Sequence, residues 1–175
     1  MEYFIMLPDE RISLYKSLDY SIPGFQEKEP FVVFGDFDED DRYPDFFYGK
    51  SLFNYYFCVT DQLKDILDVY SSNIQTIPFF LTDKAYRSQI VCWRIDCPVE
   101  DCLLTEAWEK EHDLTLRSLP EQNPYLFRVV REKAQYIIVS LELAENILRR
   151  QLYGIRFIPV KKGWEEADVS EYDNP

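Results

Sequence analysis

The chain is poor in glycine. Five glycines are spread over 175 residues, and none falls in a G-x-G-x-x-G or G-x-x-x-x-G-K-[ST] arrangement. The loops that bring backbone N–H groups against nucleotide phosphates are thereby excluded. Histidine is rarer still: His112, in "EKEHDL", is the single imidazole. The four cysteines, Cys58, Cys92, Cys97 and Cys102, lack the C-x-x-C pairing of a structural zinc site. With no export signal in "MEYFIMLPDERIS" and no basic stretch before its apolar residues, they are expected as free thiols in the cytoplasm. Long hydrophobic runs are also missing. The greasiest pieces, "FNYYFCV" and "YIIVSL", have the length of strands, well short of the roughly 18 residues that a membrane helix needs.

Positive charge is the next shortage. Nineteen Lys and Arg face 32 Asp and Glu, a formal charge of −13. Nonspecific nucleic-acid binding requires cations to displace counterions, and anionic membranes repel such a chain, so neither is expected as a partner. A negative surface favours solubility and steers a basic partner. What is abundant is apolar and aromatic: 46% hydrophobic residues and 17% Phe, Trp and Tyr. That composition folds, and the length suits one domain. The expected domain covers residues 1–162, followed by an acidic, unpatterned tail over 163–175, "GWEEADVSEYDNP".

One phrase occurs twice. "VTDQLKDILDVYSSNIQTIP" at 59–78 is answered by "VSLELAENILRRQLYGIRFIP" at 139–159. In the first, Leu63, Ile66, Leu67 and Tyr70 recur with the period of a helix face, Thr60 stands at the N-cap and Asp61 in the first turn. "SSN" ends the helix before the strand "IQTIPFFL". In the second, Ser140 is the cap, and Leu141, Ala144, Ile147, Leu148 and Leu152 form the apolar face. Arg149 and Arg150 suit the negative helix end, and Gly154 is placed to be the left-handed residue after it.

Further strands are expected in "EYFIML", "PFVVFGDF", "QIVCWRID", "DLTLRSL" and "YLFRVV", and a short helix in "LLTEAWEKEH". The fold class is α+β: one domain with a mixed sheet of about seven or eight strands and two capped helices in a pseudo-duplicated strand–helix–strand unit.

No catalytic constellation stands out. Asp36, Asp38 and Asp40 open like a calcium loop, but Asp41 takes the place of the turn glycine and Phe47 that of the bidentate Glu. The expected state is a solvated acidic loop over 36–48 without a metal or cofactor. It leads into a segment, Tyr43 to Phe57, in which eight of fifteen residues are Tyr or Phe. Aromatics beside acids suit protein binding. The candidate partner-binding residues are Asp36, Asp38, Glu39, Asp40, Asp41, Tyr43, Phe46, Phe47 and Tyr48. The bland alternative for the aromatics is a place in the core.

Around Trp93, Asp96 and Cys97, along Leu126 to Val129, and at Val139, Ser140, Ala144, Ile147, Gly154, Phe157 and Pro159, the chain resembles a bacterial family of immunity proteins from polymorphic-toxin systems. The resemblance spans about residues 50–160 and leaves 1–48 outside. It implies a small cytoplasmic protein, not an enzyme, that binds a cognate toxin with a basic surface and blocks it without a cofactor. Two other classes are kept beside it: a small enzyme using carboxylates or a cysteine, and an acidic nucleic-acid mimic.

Overall fold

A computed structural model describes residues 1–12, 29–35, 42–50, 55–84, 88–104, 114–120, 122–131 and 134–163. Among them are eleven strands and two helices, an α+β fold richer in strands than the sequence predicts. The chain runs β1 (Tyr3–Pro8), β2 (Phe31–Gly35), β3 (Phe46–Lys50), β4 (Tyr55–Thr60), α1 (Asp61–Tyr70), β5 (Gln75–Asp83) and β6 (Gln89–Asp96). It continues with β7 (Thr115–Leu116), β8 (Leu126–Arg131), β9 (Ala134–Ser140), α2 (Leu141–Arg149), β10 (Ile155–Pro159) and β11 (Lys161–Lys162). The helix expected within 103–112 lies mostly outside the described residues, as does the tail beyond Gly163.

The strands form a five-stranded sheet, β2-β5-β6-β4-β3, a four-stranded sheet, β10-β1-β9-β8, and a two-stranded ribbon, β11-β7. The repeated phrase explains the two larger sheets. β4 and β5 both run antiparallel to β6, which lies between them, while α1 connects them. β9 and β10 both run antiparallel to β1, which lies between them, while α2 connects them. Each module also begins with a hairpin, β3–β4 or β8–β9. The orders β5-β6-β4-β3 and β10-β1-β9-β8 therefore correspond strand for strand. The inserted strand follows β5 in the first module and comes from the start of the chain in the second.

The correspondence holds residue by residue. Val59 faces Phe46 and Trp93, and Trp93 faces Pro78. Val139 faces Leu126 and Phe4, and Phe4 faces Pro159. The two modules share one central core. Met6, Phe46, Phe57, Val59, Ile95, Leu126, Ile137 and Val139 come from both sheets, and Leu63, Leu67, Leu143 and Ile147 from both helices. Alternation along the strands sends the other side chains to two outer cores. Phe31, Val33, Phe47, Cys58, Phe79, Leu81 and Cys92 pack on the five-stranded sheet. Tyr3, Ile5, Leu7, Phe127, Val129 and Ile138 pack with Cys102, Leu103, Leu114 and Leu116 on the four-stranded one.

Several expectations need correction. Residues 36–48 are not all loop, because Phe46, Phe47 and Tyr48 belong to β3. On α2 the buried face is Leu143, Ala144 and Ile147, whereas Leu141 and Leu148 are exposed. Directly after α2 the left-handed residue is Gln151, with φ 54°, and Gly154 is a second one three residues on. Gly154, with φ 79°, serves a different purpose: a Cβ there would sit 2.4 Å from Cβ of Pro44. Its missing side chain lets the turn into β10 close against the start of β3.

Candidate functional site

The site read from the sequence does not assemble as one surface. Asp36, Asp38, Glu39, Asp40 and Asp41 lie outside the described residues, as does His112. Phe46 and Phe47 are fully buried, one in the central core and the other in the outer core of the five-stranded sheet. They are not available as surface anchors. Their adjacent positions in a strand point them to opposite faces, and both faces are covered. Tyr48 is half-buried and meets Phe46, Tyr55 and Phe57 edge-on at 5.9, 6.2 and 5.7 Å between ring centroids. Tyr43 is half-buried, its hydroxyl 3.4 Å from Oγ of Ser88. For Phe46 and Phe47 the core reading holds.

Asp45, from the same stretch, is a buried carboxylate with a structural task. One oxygen accepts from the Thr60 hydroxyl at 2.5 Å, and the other from the backbone N–H of Tyr153 at 2.7 Å. Its own N–H donates to the Tyr153 carbonyl at 2.7 Å. Asp45 thus joins the start of α1 in one module to the turn after α2 in the other. Thr60 occupies the N-cap of α1, but its side chain makes no capping hydrogen bond. Ser140 does cap α2, accepting from the Leu143 N–H at 3.3 Å.

The exposed group that sequence reading missed lies on α1 and β6. Asp61, Asp65 and Asp68 are all exposed. Their spacing of four and three residues puts them along one flank of the helix. At the foot of that flank the Trp93 indole N–H donates to Asp61. The Lys64 ammonium lies over the Trp93 ring, 4.6 Å from its centroid, and pairs with Asp68 at 2.5 Å. The cation is drawn to the ring face by the quadrupole, and the salt bridge fixes it there. Lys64 thereby neutralises one of the three acids and leaves the flank net negative. The acidic spacing was visible in "TDQLKDILD"; that it borders a half-exposed tryptophan depends on β6 pairing beside β4.

The cysteines are free and buried. Burial pushes the thiols of Cys58 and Cys92 well up, that of Cys97 to about 12 and that of Cys102 to about 11. All four are protonated at neutral pH, the unreactive form of a thiol. Among the described residues no three His, Cys, Asp or Glu side chains gather as metal ligands would, and no helix is long and apolar enough to cross a membrane.

The chain matches no family model and no curated protein. Most positions behind the resemblance to immunity proteins have structural work. Val139, Ala144 and Ile147 are core, Ser140 is a cap, and Gly154 permits the approach to Pro44. Asp96 and Pro159 are exposed and Trp93 half-exposed, with Asp96 paired to Arg128 at 3.0 Å.

Proposed function

We propose that this protein is an immunity protein, a stoichiometric inhibitor that acts in the cytoplasm by binding a cognate bacterial toxin. The observation that carries the reading is the acidic flank of α1, Asp61, Asp65 and Asp68 beside Trp93, on a chain of net charge −13. Such a surface draws in a basic protein over long range and offers an aromatic side chain at contact. The resemblance around Trp93 and along 139–159 supports the same reading. Inhibition of this kind needs neither a cofactor nor a reactive residue, only complementarity to the toxin. The test is co-expression and co-purification with the toxin domain encoded by the adjacent gene. A one-to-one complex and protection of cells from that domain are expected; absence of both overturns the proposal.

A further inference from the structure

The strand register places a row of apolar side chains on the α1 side of the five-stranded sheet, with Trp93 at its helix end, under Lys64 and bonded to Asp61. Val32 faces Phe80, and Phe80 faces Val91. Pro78 faces Trp93, which faces Val59 of the central core, so this row and its neighbours lie on the face that carries α1. Val32 is 42% exposed and Phe34, on the same face, 36%. Pro78, Phe80, Val91 and Trp93 are half-buried. The opposite face of the same strands is closed core.

The second module differs at the same distance along the chain. Pro159 and Phe4 correspond to Pro78 and Trp93. Two residues beyond Pro159 stands Lys161, where the first module has Phe80; two before Phe4 stands Glu2, where it has Val91. Both Lys161 and Glu2 are exposed. The β1–β10 ladder ends at Phe4 and Pro159, and Lys161 turns off into β11 beside β7, whereas β5 and β6 run on past Pro78 and Trp93 and carry apolar residues there. A cluster of partly exposed apolar side chains is the mark of a contact surface.

Charge decides the occupant. The α1 acids line one border of the face. A second copy of the chain would bring the same acids against these. We infer that the face formed by Val32, Phe34, Pro78, Phe80, Val91 and Trp93 is the toxin-docking surface, and that its occupant presents an apolar centre ringed by Lys and Arg. The inference rests on the proposed function and assigns it a place.

The experiment measures binding of the toxin domain encoded by the adjacent gene to three variants of the full chain. F80K/V91E charges the paired centre of the row, V32E charges its most exposed member, and V130E charges an exposed residue of β8 on the other sheet. F80K/V91E is expected to weaken binding at least about a hundredfold and V32E about tenfold, as for central and flanking contacts of an interface; V130E should leave it unchanged. Circular dichroism and melting verify the fold, and if F80K/V91E does not fold, V32E decides. A wild-type complex that folded variants hold with undiminished affinity overturns this surface and leaves the functional reading standing. No wild-type complex overturns both. A wild-type homodimer dissociated by V32E would give the face to self-association and also overturn the proposal.

Discussion

The Thr60 hydroxyl donates to the Asp45 carboxylate at 2.5 Å, so the residue at the N-cap of α1 acts as a tertiary link rather than as a cap. Its counterpart Ser140 acts as a cap alone. Ser140→Ala should cost about 1 kcal/mol, the usual value of a lost cap. Asp45→Ala removes the acceptor for both Thr60 and the Tyr153 N–H, and should cost about 3 kcal/mol because hydrogen bonds to a charged group are the stronger kind. In a double-mutant cycle Thr60 and Asp45 should couple, whereas Ser140 and Asp45 should add. Urea denaturation measures all three, and additivity of Thr60 with Asp45 would refute the link.

Gly154→Ala should destabilise by about 2–4 kcal/mol. The residue has φ 79°, disfavoured for any L side chain, and the new methyl would strike Pro44. A loss below about 1 kcal/mol in denaturant melts would mean that the turn moves away from Pro44 without difficulty.

Phe46→Ala should cost about 3–5 kcal/mol of stability, the range for a large aromatic lost from a close-packed core. Any loss of partner binding should follow the unfolded fraction and vanish under conditions where the variant is fully folded. A folded variant that binds more weakly would return Phe46 to the interface.

Tyr3 is 3% exposed, and among the described residues its hydroxyl has no hydrogen-bond partner. Tyr3→Phe deletes that buried polar atom and keeps the ring, which meets Phe127 edge-on at 5.2 Å. The variant should be at least as stable as the parent, with a gain of about 1 kcal/mol. A loss of similar size in thermal melts would show that the hydroxyl is satisfied.

Alkaline pH should destabilise the fold. Burial raises Cys97 from 9.0 to about 12, Cys102 from 9.0 to about 11 and Tyr3 from 10.0 to about 12. The unfolded chain therefore releases protons at lower pH than the folded one. Stability from these groups is fully present below about pH 9 and lost as pH rises through the folded values. Stability measured at pH 8 and pH 10.5 should fall, and a disulfide reagent at pH 8 should modify the thiols only at the rate of opening. Rapid modification of all four in the native state would contradict their burial.

Much of the architecture follows from local pattern. The N-terminal positions of Thr60 and Ser140, the apolar period of Leu63, Ile66 and Leu67, and the strand that follows each helix are properties of short segments, so both strand–helix–strand units could be read before any contact was known. The pairing of those units could not. Which strand enters between β4 and β5, or between β9 and β10, depends on contacts far apart in sequence, and in the second module that strand is β1. The same limit governs the candidate site. An aromatic beside acids looks alike in sequence whether it faces solvent or core, and Phe46 and Phe47 are buried because covered faces lie on both sides of β3. Trp93, Phe80 and Val91 stand in ordinary strand patterns, and only the register that sets them side by side makes a surface of them. Sequence determined the elements, because propensity and capping act within a few residues; the tertiary structure decided which faces remained open, because burial depends on what packs across the sheet.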